Sequence, residues 1–175
     1  MRKTITKFRW FWAWQDEAEE HWLGEMSKKG FHLLSVGIPG IYTFSVAEPK
    51  EYVYRLDFQN FTRKDKQEYM QIFQDAGWEH IGELSAWQYF RKEVREGEVN
   101  EIFTDAESKI AKYKRALVFM GFFLVLLSVL YWGQIVNENP YTWWGVIVAI
   151  YSLIILLLAF SFFKIAIRIN QLKRR

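Results

Sequence analysis

Cysteine is absent from the 175 residues, which excludes disulfides, thiolate metal sites and thiol nucleophiles and leaves the redox compartment unmarked. Charge is the next thing missing: none of the 23 Lys and Arg residues falls between Ala116 and Phe163, where Glu138 is the one acid. The chain also has no glycine-rich phosphate loop followed by lysine, no Gly-x-Ser-x-Gly elbow and no His-Glu-x-x-His helix. His21, His32 and His80 stand alone, without a second His or Cys at ligand spacing, so no metal or cofactor is expected. An enzyme is not expected either, with Arg9, Arg55 and Asp57 the weak candidates should there be one. Met1 to Trp14 lacks an apolar h-region and a small-residue cleavage site, so it is not read as a signal peptide.

The stretch from Ala116 to Phe163 holds two uncharged runs of 21 residues, 116–136 and 143–163, each about 31 Å long as a helix and matched to a hydrocarbon core. Asn137, Glu138, Asn139 and Pro140 between them supply a turn. A transmembrane helical hairpin is expected, with membrane lipid as its partner. Lys109, Lys112, Lys114 and Arg115 precede it and Lys164, Arg168, Lys173, Arg174 and Arg175 follow, while the connecting loop has no base. The positive-inside rule then places both termini in the cytoplasm of a multi-pass cell-membrane protein, with the same bases near lipid headgroups. Tyr131, Trp132, Tyr141, Trp143 and Trp144 suit the outer interface. No ionisable group lies within the spans, which argues against transport by these helices alone. Gly145, Ala149 and Ser152 share a face of the second helix, where small residues permit close packing.

Residues 1–108 carry 14 basic and 19 acidic side chains, so the part able to meet partners is acidic although the whole chain has a net charge of +3. A pseudo-repeat organises it. Glu20 to Phe31 aligns with Gln67 to Trp78 at an offset of 47 residues, Leu34 with Ile81, and Tyr42 with Tyr89. Alternating runs precede each helix, Lys7 to Trp12 and Tyr52 to Phe58, and read as strands. Hairpins are expected from Phe31–Val36 with Ile41–Val46, and from Trp78–Glu83 with Ala86–Lys92. Asp16 with Glu19, Thr62 with Asp65 and Thr104 with Glu107 have the spacing of helix N-caps, so these acids are taken as folding signals. Ala18, Trp22, Leu23 and Met26 share one helix face, as do Tyr69, Met70 and Phe73.

The expected fold is α+β: a two-layer sandwich in residues 1–92 with an antiparallel, shared sheet built from the βαββ pseudo-repeat, ferredoxin-like, and both helices on one side. Residues 93–103 form a linker, and 104–175 a juxtamembrane helix continuous with the hairpin. Trp10, Trp12 and Trp14 alternate on the first expected strand and, with Arg55 and Asp57, make the candidate partner or ligand surface. Aromatics on a sheet can stack bases, but an acidic domain lacks the basic footprint, so nucleic acid is not expected.

The run Trp22-Leu-Gly-Glu-Met26, Lys29-Gly-Phe-His-Leu33, Tyr42-Thr-Phe44, Glu51 to Phe58, Asp75-Ala-Gly-Trp78, Trp87-Gln-Tyr-Phe90 and Ile102-Phe-Thr-Asp105 resembles a bacterial membrane-protein family of unknown function, a DUF family commonly encoded beside PadR-type regulators. The resemblance covers about Lys7 to Arg115, with Phe31 where tryptophan is common. It implies a bacterial inner-membrane location and a possible regulatory link to a PadR-type regulator, and it supplies no catalytic residues. The expected function is a membrane-tethered regulatory or adaptor protein that binds a protein or small ligand. The alternative is an accessory subunit of a membrane transport or envelope-stress complex.

Overall fold

The computed structural model describes residues 3–59, 63–98, 100–102, 106–136 and 144–174. The expected caps Thr62 and Thr104, the turn 137–140, and Tyr141, Trp143 and Arg175 lie outside them. Two compact units divide the chain, Met1–Asp105 and Ala106–Arg175.

In the first unit the 47-residue repeat is a structural duplication. One copy is β1 (Thr4–Phe8), α1 (Asp16–Lys28), β2 (Phe31–Gly37) and β3 (Ile41–Val46). The other is β4 (Tyr52–Phe58), α2 (Arg63–Asp75), β5 (Glu79–Leu84) and β6 (Trp87–Glu93). Each copy makes its own three-stranded antiparallel sheet, ordered β1-β3-β2 and β4-β6-β5. The architecture is therefore α+β with two sheets where one shared sheet was expected. Equivalence extends to detail: the register slips in each middle segment, between Leu33 and Ser35 and between His80 and Gly82, leaving Leu34 and Ile81 as bulge residues. Gly30 and Gly77 end the two helices at φ of +80° and +82°, the left-handed backbone that a side chain disfavours.

The helices are not equivalent in use. Leu23 and Met26 of α1 are buried among Leu33, Tyr42 and Phe44 of the first sheet and Tyr54, Leu56 and Tyr89 of the second, so α1 carries the core of both copies. It also closes the β4 edge: the Leu56 N–H donates to Glu20 Oε1 at 2.8 Å and the Tyr52 N–H to Ser27 Oγ at 3.3 Å. Those donors would otherwise be an unpaired sheet edge. Gly24 permits the approach, since a Cβ there would stand 3.4 Å from the Tyr52 carbonyl oxygen. The sheets are tied directly as well, the Leu33 N–H donating to the Tyr54 hydroxyl at 3.3 Å. Among the described residues helix α2 rests on its own sheet, where Phe73 stacks on Phe90 with ring centroids 4.5 Å apart. None of the α2 side chains described is fully buried.

The first strand is shorter than expected. β1 pairs with β3 from Thr4 opposite Ser45 to Phe8 opposite Ile41, and β3 begins at Ile41, so the chain runs out of partner there. A last bond, from the Arg9 N–H to the Gly40 oxygen at 2.9 Å, precedes the departure. Gly40 at φ +98° makes this possible, because a Cβ would lie 2.5 Å from the Arg9 oxygen. In the second copy β6 begins one position earlier in the repeat, at Trp87, and β4 continues to Phe58. Residues Arg9 to Gln15 consequently form a loop, and Trp10, Trp12 and Trp14 are not a strand stripe. Asp16 is likewise not the N-cap of α1: Gln15 holds that place, and its Oε1 accepts the Trp12 N–H at 3.0 Å.

The second unit is an antiparallel-connected pair, α3 (Ala106–Val136) and α4 (Trp144–Lys173). The juxtamembrane segment continues unbroken into the first apolar run, and α4 continues past Phe163 to Lys173. Both are long and apolar enough to cross a membrane, with mean hydropathies of 2.2 and 2.8, and only 6 % of each apolar window is buried. A core helix of a soluble bundle hides its apolar surface; these two expose it. The helices pack on each other, Ser152 Oγ donating to the Tyr131 hydroxyl at 3.1 Å and Phe162 lying 3.7 Å from the Cβ position of Gly121. The expected small-residue face is split, since Ser152 meets α3 while no described residue comes within 4 Å of the Cβ position of Gly145 and Ala149 is exposed. Lys114 and Lys164 are exposed, Lys109, Arg115 and Arg168 half-buried, and Lys112 buried.

Candidate functional site: an aromatic cleft over a buried carboxylate

The loop that leaves β1 early, the start of α1 and the hairpin tips of both copies enclose a cleft of about 320 Å³. Trp10, Phe11 and Trp12 form one wall, Ile38, Pro39 and Gly40 of the β2–β3 tip another, and Leu84, Ser85 and Trp87 of the β5–β6 tip a third. Its floor is Glu19 with Tyr42 and Tyr89. Trp12 stacks on Trp14, centroids 5.3 Å apart and planes within 4°, and meets Trp10 edge-on at 5.5 Å, which holds the wall in place. Trp10 remains half-exposed at the mouth.

Glu19 is 6 % exposed. The Tyr42 and Tyr89 hydroxyls both donate to its Oε1 at 2.7 Å, and Oε2 has no hydrogen-bond donor among the described residues. These two tyrosines are the pair aligned by the repeat, so the duplication delivers two equivalent hydroxyls to one oxygen. Burial pushes the Glu19 carboxyl above the usual range; the two hydroxyls pull it down and neighbouring Asp16, 3 % exposed, adds to the rise. Burial, then the facing Glu19 charge, raises both tyrosines well beyond the ordinary phenol range, so they stay protonated as donors. Apolar walls with a few convergent polar groups and a perturbed acid are the physical signature of a small-molecule site.

The sequence-derived surface divides here. Trp10 and Trp12 line the cleft, while Trp14 supports it from behind. Arg55 and Asp57 lie elsewhere and are engaged within the fold. Arg55 donates to Glu101 at 2.6 Å and to its neighbouring Tyr54 oxygen at 2.8 Å, and Asp57, 1 % exposed, accepts from the Tyr69 hydroxyl at 2.7 Å. Glu19, Asp16, Tyr42, Tyr89 and Trp87 were not legible as site residues; the repeat alignment of Tyr42 with Tyr89 was the one signal available. A larger depression of about 510 Å³ around Tyr52 and Arg91 is polar, and its cations are matched internally: Arg91 with Glu79 at 2.8 Å and Lys92 with Glu98 at 2.8 Å. His32 Nε2 donates to the Glu48 oxygen at 2.8 Å, and among the described residues no group of three or more His, Asp or Glu side chains is placed to hold a metal ion.

No curated protein and no solved structure matches the chain. Residues 15–125, which include α1, the floor of the cleft and most of α3, match a family described as "Protein of unknown function (DUF2812)", and the chain belongs to that family.

Proposed function

We propose that this protein is a membrane-tethered regulatory module whose N-terminal α+β unit binds a small ligand in the aromatic cleft. The observation that carries the reading is the Glu19 floor: a carboxyl held in an apolar pocket by two buried hydroxyls costs stability that an ordinary core would avoid. The exposed apolar helices α3 and α4 support insertion in a bilayer. The bases at 109–115 and 164–175 support a cytoplasmic location for both ends. The resemblance to chains encoded beside PadR-type regulators supports a regulatory output through a protein partner.

Two measurements test this. The full chain should remain in the membrane pellet after carbonate washing, and fusions at either end should give fluorescent green protein and inactive alkaline phosphatase. Release by carbonate, or active phosphatase at either end, defeats the tether. For the cleft, a panel of aromatic solutes bearing positive, zero or negative charge is titrated into the chain in lipid nanodiscs, with tryptophan fluorescence as readout. At least one class should saturate, and Ala13→Phe, which fills the cleft, should abolish it. No saturable change with any class would remove the ligand-binding reading.

A further inference from the structure

Among the described residues the charges lining the cleft are of one sign: Asp16 and Glu19 contribute carboxylates, and no described Lys, Arg or His contributes to the lining. The basic group placed nearby is Arg9, and it is already committed: its guanidinium lies over the Phe11 ring at 5.0 Å and over Trp22 at 5.1 Å. An anionic ligand would have to approach the Glu19 carboxylate, and no described residue of the lining offers it a counter-charge. The positive end of the α1 dipole does not alter this, because Asp16, Glu17 and Glu19 in its first turn oppose it.

The walls complement the same sign. Trp10, Trp12 and Trp87 present indole rings from two sides, and the negative face of an aromatic ring attracts a cation. The floor carries Glu19 Oε2, an acceptor without a donor among the described residues, in a side chain almost wholly buried. A metal ion or a small hydrated cation does not suit indole walls, which offer no oxygen ligands. An ammonium group with apolar substituents satisfies both surfaces at once.

We propose that the cleft is a receptor for hydrophobic organic cations, alkyl- or arylammonium compounds whose charged head pairs with Glu19 while their apolar body lies against Trp10, Trp12 and Trp87. This rests on the cleft being a ligand site and names the class that it takes. The charge is selected by Glu19; the shape is selected by the tryptophans. Binding requires ionised Glu19, so affinity for a ligand of fixed charge rises with pH. The groups facing Glu19 are Asp16 on its own helix, Tyr42 from β3 and Tyr89 from β6, with Arg9 acting on Tyr42. The tyrosines keep their protons across that range.

The test uses benzyltrimethylammonium, its neutral carbon isostere neopentylbenzene and the anion benzenesulfonate. Each is titrated into the full chain in phosphatidylglycerol nanodiscs. The cation should bind at least tenfold more tightly than the isostere, and the anion should not compete. Glu19→Gln, which retains an oxygen for both tyrosine hydroxyls, should lose at least tenfold of cation affinity and the pH dependence with it, while its melting temperature is not lowered. Replacing half the lipid with phosphatidylcholine separates the two sources of such a group: competition assigns a lipid headgroup, and an unchanged affinity assigns a free ammonium compound. Equal binding of cation and isostere to the unmodified chain would overturn the charge assignment and leave the cleft a ligand site. Failure of all three solutes to bind would overturn both.

Discussion

The two copies of the repeat share strand order, bulge position and helix-terminating glycine, and both line the cleft, yet only one of them supplies the carboxylate at its floor. The divergence is in the helices. At the position of Glu19 the second copy has Lys66, an accessible side chain whose Nζ donates to Glu83 at 2.7 Å on the surface. At the position of Leu23, which is fully buried, it has the half-buried Met70. One helix therefore became the common core and brought an acid inside with it, and the other stayed a cover on its own sheet. Duplication supplied two tyrosines at matched places; asymmetry supplied the single carboxylate on which both converge.

That contrast sets the order of expected effects. Leu23→Ala should cost about 2–5 kcal/mol, because it opens a cavity touching both sheets, whereas Met70→Ala should cost about 1 kcal/mol. Denaturant unfolding of the full chain in detergent reads both, and comparable losses would mean that the helices share the core equally. Next come the paired glycines. Gly77→Ala meets the left-handed penalty of about 1–2 kcal/mol with only the flexible Lys92 side chain nearby at 3.4 Å. Gly30→Ala meets the same penalty and also places Cβ 2.4 Å from the Ala47 carbonyl oxygen, so its melting temperature should fall further than that of Gly77→Ala.

The carboxyls give the smallest and sharpest comparison. Glu19 is raised in the folded chain above its ordinary 4.5, so the unfolded chain ionises first; its contribution is intact below pH 4.5 and is lost as pH rises through the folded value. Glu83 is lowered, chiefly by the Lys66 hydrogen bond and then by Gln88, so its contribution is present above pH 4.5 and is lost as pH falls through the folded value. Glu83 is exposed, and the pair should add less than about 1 kcal/mol. Glu19→Gln should flatten the decline above pH 4.5, by roughly 1.4 kcal/mol for each unit by which the carboxyl is raised, while Glu83→Gln should act weakly and only on the acid side. Stability profiles of the two variants that moved in the same direction would contradict the structure.

Much of the fold was legible because it depends on neighbours along the chain. The alternation in Tyr52 to Phe58, the glycines at 30 and 77, and the two uncharged runs each declare themselves within one element. The run from Lys7 to Trp12 alternates just as well but is not a strand beyond Phe8, since its partner begins only at Ile41. Asp16 and Glu19 have the spacing of a helix start and do lie in the first turn of α1, yet their carboxyls are buried. Local pattern does not reveal whether an acid at a helix start faces water or a cavity.

Composition and periodicity alone determined a duplicated α+β unit followed by two apolar helices, because a charge-free length and a repeated spacing are written residue by residue. The cleft was decided only by tertiary structure. Its floor joins Glu19 to hydroxyls 23 and 70 residues away, and its walls come from a loop and two hairpin tips. The register of β3 against β1, which sends the tryptophan loop off the sheet, and the burial of α1 between the copies are pairwise facts that no single segment contains.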